Sequence, residues 1–357
     1  MGAFSGGWIC SCFCCEAAGA ARTRRSTLIR FFAELQAAPG MRRAAFSSTV
    51  VPKPRFSFRA IWLRWLTAAV ASAALACPAH AGPVLDRIQS TGMFKMGYRP
   101  DSAPFSWASS ADSSTILGYS AEVCQHIARA IAGELKVQAL QIVPVPVFQS
   151  TRIASIVRGD IDMECAGTTN TQERRGKVAF GLTYFYAGAA LLVSRESGIA
   201  NLGDLKDKTL GALEGTTSKL IAEMYAGRNG GWRIRNFHSL PEAAAALRAN
   251  EIQAVMGDDV LLLAVAAQSG GQLAVPAQRD SVEPLAPMFS KDDAELEKMV
   301  RAIMQNMYRS GEMNAIYARW FLSPLPGLGY NLNLKMGALL QDNLRRPLDY
   351  VSDWTVM

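Results

Sequence analysis

Histidine is scarce in this 357-residue chain, which has three in all, and charged residues make up 19% against 50% hydrophobic ones. His126 falls on a predicted helix face and His238 near a predicted strand end, and neither has a partner at the spacing of a metal site or a catalytic triad. Both read as structural. The chain has no repeat and no low-complexity run. Its short Gly215-Thr216-Thr217-Ser218 turn lacks the Lys and the spacing with which a P-loop holds a nucleoside triphosphate. No apolar run reaches the roughly 20 residues that cross a bilayer. Five of the seven cysteines (10, 12, 14, 15 and 77) lie in the first 81 residues. Cys10, Cys12, Cys14 and Cys15 have no accompanying His and no second half of a tetrahedral set, so neither a metal nor another cofactor is expected.

The net charge of +7 is equally uneven. Residues 1–81 hold ten Lys/Arg and two acids, while the rest of the chain holds 27 and 28. The basic excess is therefore confined to a segment that reads as a leader, and no nucleic-acid partner is expected. Within that segment Arg55, Arg59 and Arg64 precede the apolar stretch from Trp65 to Cys77, and Ala79-His80-Ala81 stands before Gly82. A charged region, a short apolar region and an A-x-A site describe a secretory signal peptide, with cleavage expected after Ala81 and a periplasmic destination. Met41-Arg42-Arg43 is an alternative start, which would make residues 1–40 a gene-start error. Lipidation at Cys77 is the second reading of the same stretch. Cys124 and Cys165, the two cysteines beyond the leader, are either one disulfide or two buried thiols, the thiols being the plainer reading.

From Gly82 onward short apolar strands alternate with amphipathic helices, the pattern of an α/β protein whose sheets are covered by helices. Strands are expected at 94–97, 143–147, 163–165, 189–193, 209–213, 234–237, 254–257, 272–275 and 285–289. Helices are expected at 120–133, 151–158, 217–226, 241–249, 260–267, 294–310 and 313–321. A chain of about 275 residues is large for one core. We expect one lobe from 82–188 plus 282–330, a second from 189–281, and a tail, 331–357, acting as a strap. If the late strand returns to the first lobe, two crossings form a hinge with a cleft between the lobes.

Two strand-to-helix turns rich in small hydroxyl residues face that expected cleft. The first is Gly167-Thr168-Thr169-Asn170, followed by Glu173-Arg174; the second is Gly215-Thr216-Thr217-Ser218. Free backbone N–H groups and hydroxyls at such turns hydrogen-bond a carboxylate, and Arg174 can bind one through two parallel bonds. Asp258, at the end of an apolar strand, is placed to hold an ammonium group, and the adjacent Asp259 is free to cap the next helix. Arg99 and Arg152 complete three arginines. Glu164 and Glu173 are the only acid/base pair that suggests itself, on adjacency alone, so no enzymatic set emerges.

Together with Gly97-Tyr98-Arg99, Pro104-Phe105, Gly118-Tyr119-Ser120, Asp162-Met163-Glu164-Cys165, Lys291-Asp292-Asp293 and Arg319-Trp320-Phe321, these motifs make the stretch from Val84 to about Asn333 resemble the periplasmic amino-acid-binding proteins of ABC importers (solute-binding protein family 3), most of all their glutamate/aspartate-binding group. The resemblance implies a two-lobed, type II periplasmic-binding-protein fold and a monomer that is not an enzyme and that hands its amino acid to a membrane permease. It further implies that Arg174, Thr169 and the Gly167-Thr168 turn bind the ligand α-carboxylate, that Asp258 binds the α-ammonium, and that Thr216 closes from the second lobe. Arg99 and Arg152 would receive a side-chain carboxylate, helped by Gln149. Three arginines against one Asp leave a net charge of +2, which suits a ligand of net charge −1. The chain departs from the family pattern at Gly167 and Gln149, where a Ser is expected, at Leu213, where a Thr is expected, and at Leu240, where a His is expected. A dehydratase on the same fold and a ligand-sensing module are the alternatives.

Overall fold

The structure is a computed structural model, and it describes residues 82–109, 114–229 and 231–347. The expected leader, its cleavage site and Cys77 lie outside the described residues. Among the described residues no helix is long and apolar enough to cross a membrane.

The chain starts with α1 (Pro83–Thr91), closed by Gly92, and β1 (Met93–Tyr98); the hairpin strands β2 (Trp107–Ala108) and β3 (Ile116–Leu117) follow. Next come α2 (Tyr119–Glu134), β4 (Gln141–Pro146), α3 (Arg152–Val157), β5 (Met163–Glu164), the one-turn α4 (Gln172–Arg175) and β6 (Ala179–Phe180). The connecting strand β7 (Phe185–Ala187) leads into β8 (Ala189–Ser194), β9 (Thr209–Leu213), α5 (Thr217–Asn229), β10 (Arg233–Phe237), α6 (Leu240–Arg248), β11 (Ala254–Asp258), α7 (Asp259–Ala267) and β12 (Leu273–Ala274). The chain then returns through β13 (Glu283–Leu285) and β14 (Met288–Phe289) to α8 (Ala294–Ser310), α9 (Glu312–Phe321) and α10 (Ala338–Arg345).

Two five-stranded sheets result, in the orders β4-β1-β5-β14-β6 and β10-β9-β11-β8-β12. Each defines a lobe, and the two crossings between them run side by side as the antiparallel pair β7–β13. The expected strand at 285–289 is in fact two strands. Its first half belongs to the crossing pair and its second half lies between β5 and β6 in the first sheet. Pro287 accounts for the break: it has no N–H for a ladder, and its carbonyl instead accepts from Gly181 N at 2.9 Å.

The first lobe is held by an aromatic cluster in which Phe105 and Tyr317 each pack on Tyr119, Phe185 and Phe321, with Tyr119 and Phe321 edge to face at 5.0 Å. Burial of Tyr119 leaves its hydroxyl needing a partner, and it donates to Tyr184 O at 2.7 Å. Cys124 on α2 and Cys165 after β5 form a disulfide with Cα atoms 6.1 Å apart, so of the two readings left open it is the bonded pair, and not the plainer one, that occurs. The strap is also more than a strap: α10 seats Leu340 and Leu344, and Asn343 Nδ2 donates to Thr183 O at 2.8 Å.

Candidate functional site

The C-terminal ends of the parallel strands meet between the lobes, where such sheets place their ligands. Seven of the nine expected site residues line one cavity there: Arg99, Gln149, Arg152 and Gly167 with Thr169 from the first lobe, Thr216 and Asp258 from the second. The facing wall is apolar, formed by Leu213, Leu240, Met256, Leu261 and Leu262. The departures at Leu213 and Leu240 thus belong to one continuous surface. Gly167 has a local reason as well: its φ is +83°, and a Cβ there would come within 2.8 Å of the Phe105 ring, so the expected Ser does not fit this core.

The lobes touch directly. Arg174 Nη2 donates to Gly215 O at 3.2 Å, and Arg152 Nη2 approaches the same oxygen at 3.5 Å. Asp101 holds Arg99 Nη2 at 3.2 Å with one oxygen and accepts from Leu240 N at 3.4 Å with the other. The third tie is the carboxylate of Glu283, which sits on the crossing strand and accepts from Thr169 of one lobe at 2.7 Å and Thr217 of the other at 2.6 Å.

Three expected roles are altered. Arg174 was expected to face a carboxylate, but two of its donors are committed to backbone, Nη1 to Thr169 O at 2.8 Å and Nη2 to Gly215 O, and it is not among the residues lining the cavity. Thr168 is fully buried and likewise lies outside the lining. Thr216 donates to Leu213 O at 2.7 Å and accepts from Lys219 N at 3.2 Å, so its hydroxyl caps α5, and the one that crosses to the other lobe belongs to Thr217. The Asp pair divides: Asp259, expected to cap the next helix, is its first residue and binds Gly188 N and Arg279, while Asp258 lines the cavity and accepts from Ser218 Oγ at 3.4 Å. Glu164 and Glu173 do not form a pair, since Glu173 is exposed beside Lys177 and Glu164 is fully buried.

Electrostatics also differ from the simple count. Glu164 and Glu283 are both fully buried among the arginines and Asp101 is bound to Arg99, so with Asp258 the three arginines meet four carboxyl groups, and the simple count of +2 does not hold. Burial pushes Arg152 below the ordinary arginine value, with Arg174 adding to the effect and Glu164 opposing it. Burial raises Glu164, against the pull of Arg152. Asp258 is pushed up to about 7, first by burial and then by Glu283, with Arg99 and Arg152 opposing. What stands out at the cavity is unmet hydrogen bonding: Arg99 Nε, Arg152 Nε and both polar atoms of the Gln149 amide are buried without a protein partner. Buried polar groups are almost always satisfied, so this cluster is built to receive a polar ligand. Among the described residues no group of three His, Cys, Asp or Glu is placed to hold a metal.

A two-lobed α/β fold with a polar cleft at its crossing strands defines a class of ligand-capturing protein, and comparison with known proteins identifies the family. Residues 94–323 match the bacterial extracellular solute-binding proteins, family 3, and the chain belongs to that amino-acid-binding family of ABC importers. An L-glutamate/L-aspartate-binding protein of Pseudomonas aeruginosa is 32% identical over 294 residues, covering 81% of this chain and 97% of that one. An ABC transporter glutamine-binding protein of Bacillus subtilis is 30% identical over 210 residues, covering 58% and 74%. Among solved structures, an ancestral amino-acid-binding protein that is a precursor of cyclohexadienyl dehydratase superposes with a TM-score of 0.59 at 26% identity, covering 67% of this chain and 99% of that one.

Proposed function

We propose that the protein captures an acidic amino acid, L-glutamate or L-aspartate, outside the cytoplasm and delivers it to an ABC permease by closure of the two lobes. The observation that carries this reading is the set of buried, unpartnered donors on Arg99, Arg152 and Gln149, all three among the residues lining the cavity. Arginine donates and never accepts, so the ligand group that meets two guanidinium Nε atoms must be an acceptor, and a side-chain carboxylate is the strongest one an amino acid offers. Asp258 lines the same cavity and is suited to the ammonium. With Arg174 turned to backbone carbonyls, the backbone N–H groups of the two turns are left for the α-carboxylate. The name of the Pseudomonas relative supports the same ligand class.

Closure follows from differential contact. A ligand held by Arg99 and Arg152 on one side and Asp258 on the other favours the arrangement in which both lobes touch it, and the closed shape is what a permease reads. The dehydratase alternative needs an acid that reaches the ligand. Glu164 is not among the residues lining the cavity, and Asp258, the carboxyl that does line it, is the group assigned to the ammonium.

The test is isothermal titration of the purified protein, freed of ligand by unfolding and refolding, with L-glutamate, L-aspartate, L-glutamine and L-histidine. One-to-one binding of an acidic amino acid is expected. In Arg152→Ala that binding should weaken by about 10- to 100-fold or more, as expected for losing a charged hydrogen bond. Absence of heat with both acidic amino acids, or an unaltered affinity in the variant, would overturn the assignment.

A further inference from the structure

Glu283 was singled out by no motif, yet it is fully buried at the junction of both lobes and the crossing strands. Its Oε2 accepts from Thr169 Oγ1 at 2.7 Å and from Thr217 Oγ1 at 2.6 Å, and its Oε1 accepts from Ser281 Oγ at 2.9 Å. Ser281 in turn accepts from Ala189 N at 2.9 Å, which directs its own proton toward the glutamate. Three hydroxyls aimed at one carboxyl group fit the ionised form, which only accepts; a protonated acid would set its own hydrogen against one of them.

A hydroxyl has one proton and two lone pairs. Thr169 and Thr217 each commit that proton to Glu283, and both residues also line the cavity. Their oxygens therefore have only lone pairs left to offer a ligand. Asp258 contributes a third acceptor to the lining of the same cavity, and Ser218, the neighbour of Thr217, reaches its Oδ1 at 3.4 Å. An ammonium group carries three donors and no acceptor, which matches three acceptors, whereas a carboxylate presented to the same oxygens would meet lone pairs.

We infer that Glu283 is a positioning residue that sets the hydrogen-bond polarity of this end of the cleft, turning the hydroxyls of Thr169 and Thr217 into acceptors that, with Asp258, select ligands bearing a primary ammonium. The inference rests on the amino-acid reading above and refines it in one respect: the Thr169 hydroxyl reads the ammonium, and the α-carboxylate is left to backbone N–H groups. Glutamine in place of Glu283 brings N–H donors of its own, so at least one threonine proton is released toward the cleft and faces the ligand's own N–H groups.

The test compares L-glutamate with glutarate, the same diacid without the ammonium, by isothermal titration and competition on the purified protein. In Glu283→Gln, L-glutamate should bind about 10- to 100-fold more weakly while glutarate changes by less than about threefold. Thr217→Val should reproduce the selective loss, and Thr217→Ser, which keeps the oxygen, should restore it. The double variant Glu283→Gln/Thr217→Val should lose less than the product of the two single losses. Equal weakening of both ligands would mean that Glu283 merely holds the lobes together, and a double variant equal to the product of the single losses would mean that it does not act through Thr217; either overturns the inference. Where glutarate binds the parent protein too weakly for a constant, the double-variant comparison decides, and where Glu283→Gln does not fold, the Thr217→Val and Thr217→Ser pair decides. If the parent protein binds no acidic amino acid, it is the acidic reading that fails, and the same comparison with the amino acid that does bind and its des-amino analogue decides this one.

Discussion

Replacing Gly215 with alanine should separate closure from folding. Gly215 stands at the second hydroxyl turn with φ +71°, a conformation that costs an L-residue roughly 1–2 kcal/mol. That cost belongs to the turn itself, so it lowers stability in the open and closed forms alike and leaves affinity untouched. The new Cβ adds a second effect that exists only when the lobes meet. It would lie 2.9 Å from Gln149 O and 3.1 Å from both Gln149 C and Ser150 Cα, all of them main-chain atoms of the opposite lobe that cannot swing aside. Overpacking of this kind costs about 1–3 kcal/mol, or about 5- to 150-fold in affinity, and it also moves Gly215 O away from Arg174 and Arg152. Gly159→Ala is the control: its φ is +72° and nothing lies within 4 Å of the added Cβ, so it carries the backbone cost without the clash. Calorimetric melting of the free proteins should show similar losses for the two variants, while titration should show weakened binding of every ligand in Gly215→Ala alone. X-ray scattering should show less compaction on ligand addition in that variant. Equal affinities in the two variants would refute the reasoning.

Two further outcomes follow from the site and the core. Asp258 is raised from 3.8 to about 7 by burial and by Glu283, so its ionised form is disfavoured in the free protein. Stability contributed by this group is full below about pH 4 and is lost as pH rises toward 7, whereas an ammonium-bearing ligand binds the ionised form. Affinity should therefore climb by up to about tenfold per unit below pH 7 and level off above it, and Asp258→Asn should flatten the profile; titration between pH 5 and 8 checks this, and a flat profile in the parent protein would refute it. The disulfide between Cys124 and Cys165 closes a loop with a sequence separation of 41, which by chain entropy contributes about 4 kcal/mol. Urea unfolding with and without reductant should reveal a loss of that order, and an identical midpoint in both conditions would argue against the bond.

Much of the fold was legible in the chain because it is written in local pattern. The strand 209–213 and the helix 294–310 occur at the expected residues, and the other expected helices differ by three residues or fewer at each end. Apolar spacing, Asp293 as N-cap and Gly311 as C-cap need only their neighbours to act. The late strand was misread because periodicity does not report which sheet a residue joins, and Pro287 splits the run between two.

The candidate site divides in the same way. Arg99, Arg152, Asp258 and the two hydroxyl turns announce themselves by residue type at the ends of strands. Glu283 does not, since an acidic residue in the run Ser281-Val282-Glu283-Pro284-Leu285 looks like any solvated strand end until Thr169, 114 positions away, and Thr217, 66 positions away, are brought to it. The charge balance of the cleft changed for the same reason, because whether Glu164 and Glu283 count depends on their burial. The cysteine pairing and the diversion of Arg174 and Thr216 to backbone carbonyls were likewise decided only in three dimensions. The sequence by itself determined which elements form and which chemical groups are available to the cleft. The tertiary structure decided which of those groups are already satisfied by one another and which are left for a ligand, because hydrogen-bond partners distant in sequence are chosen by packing.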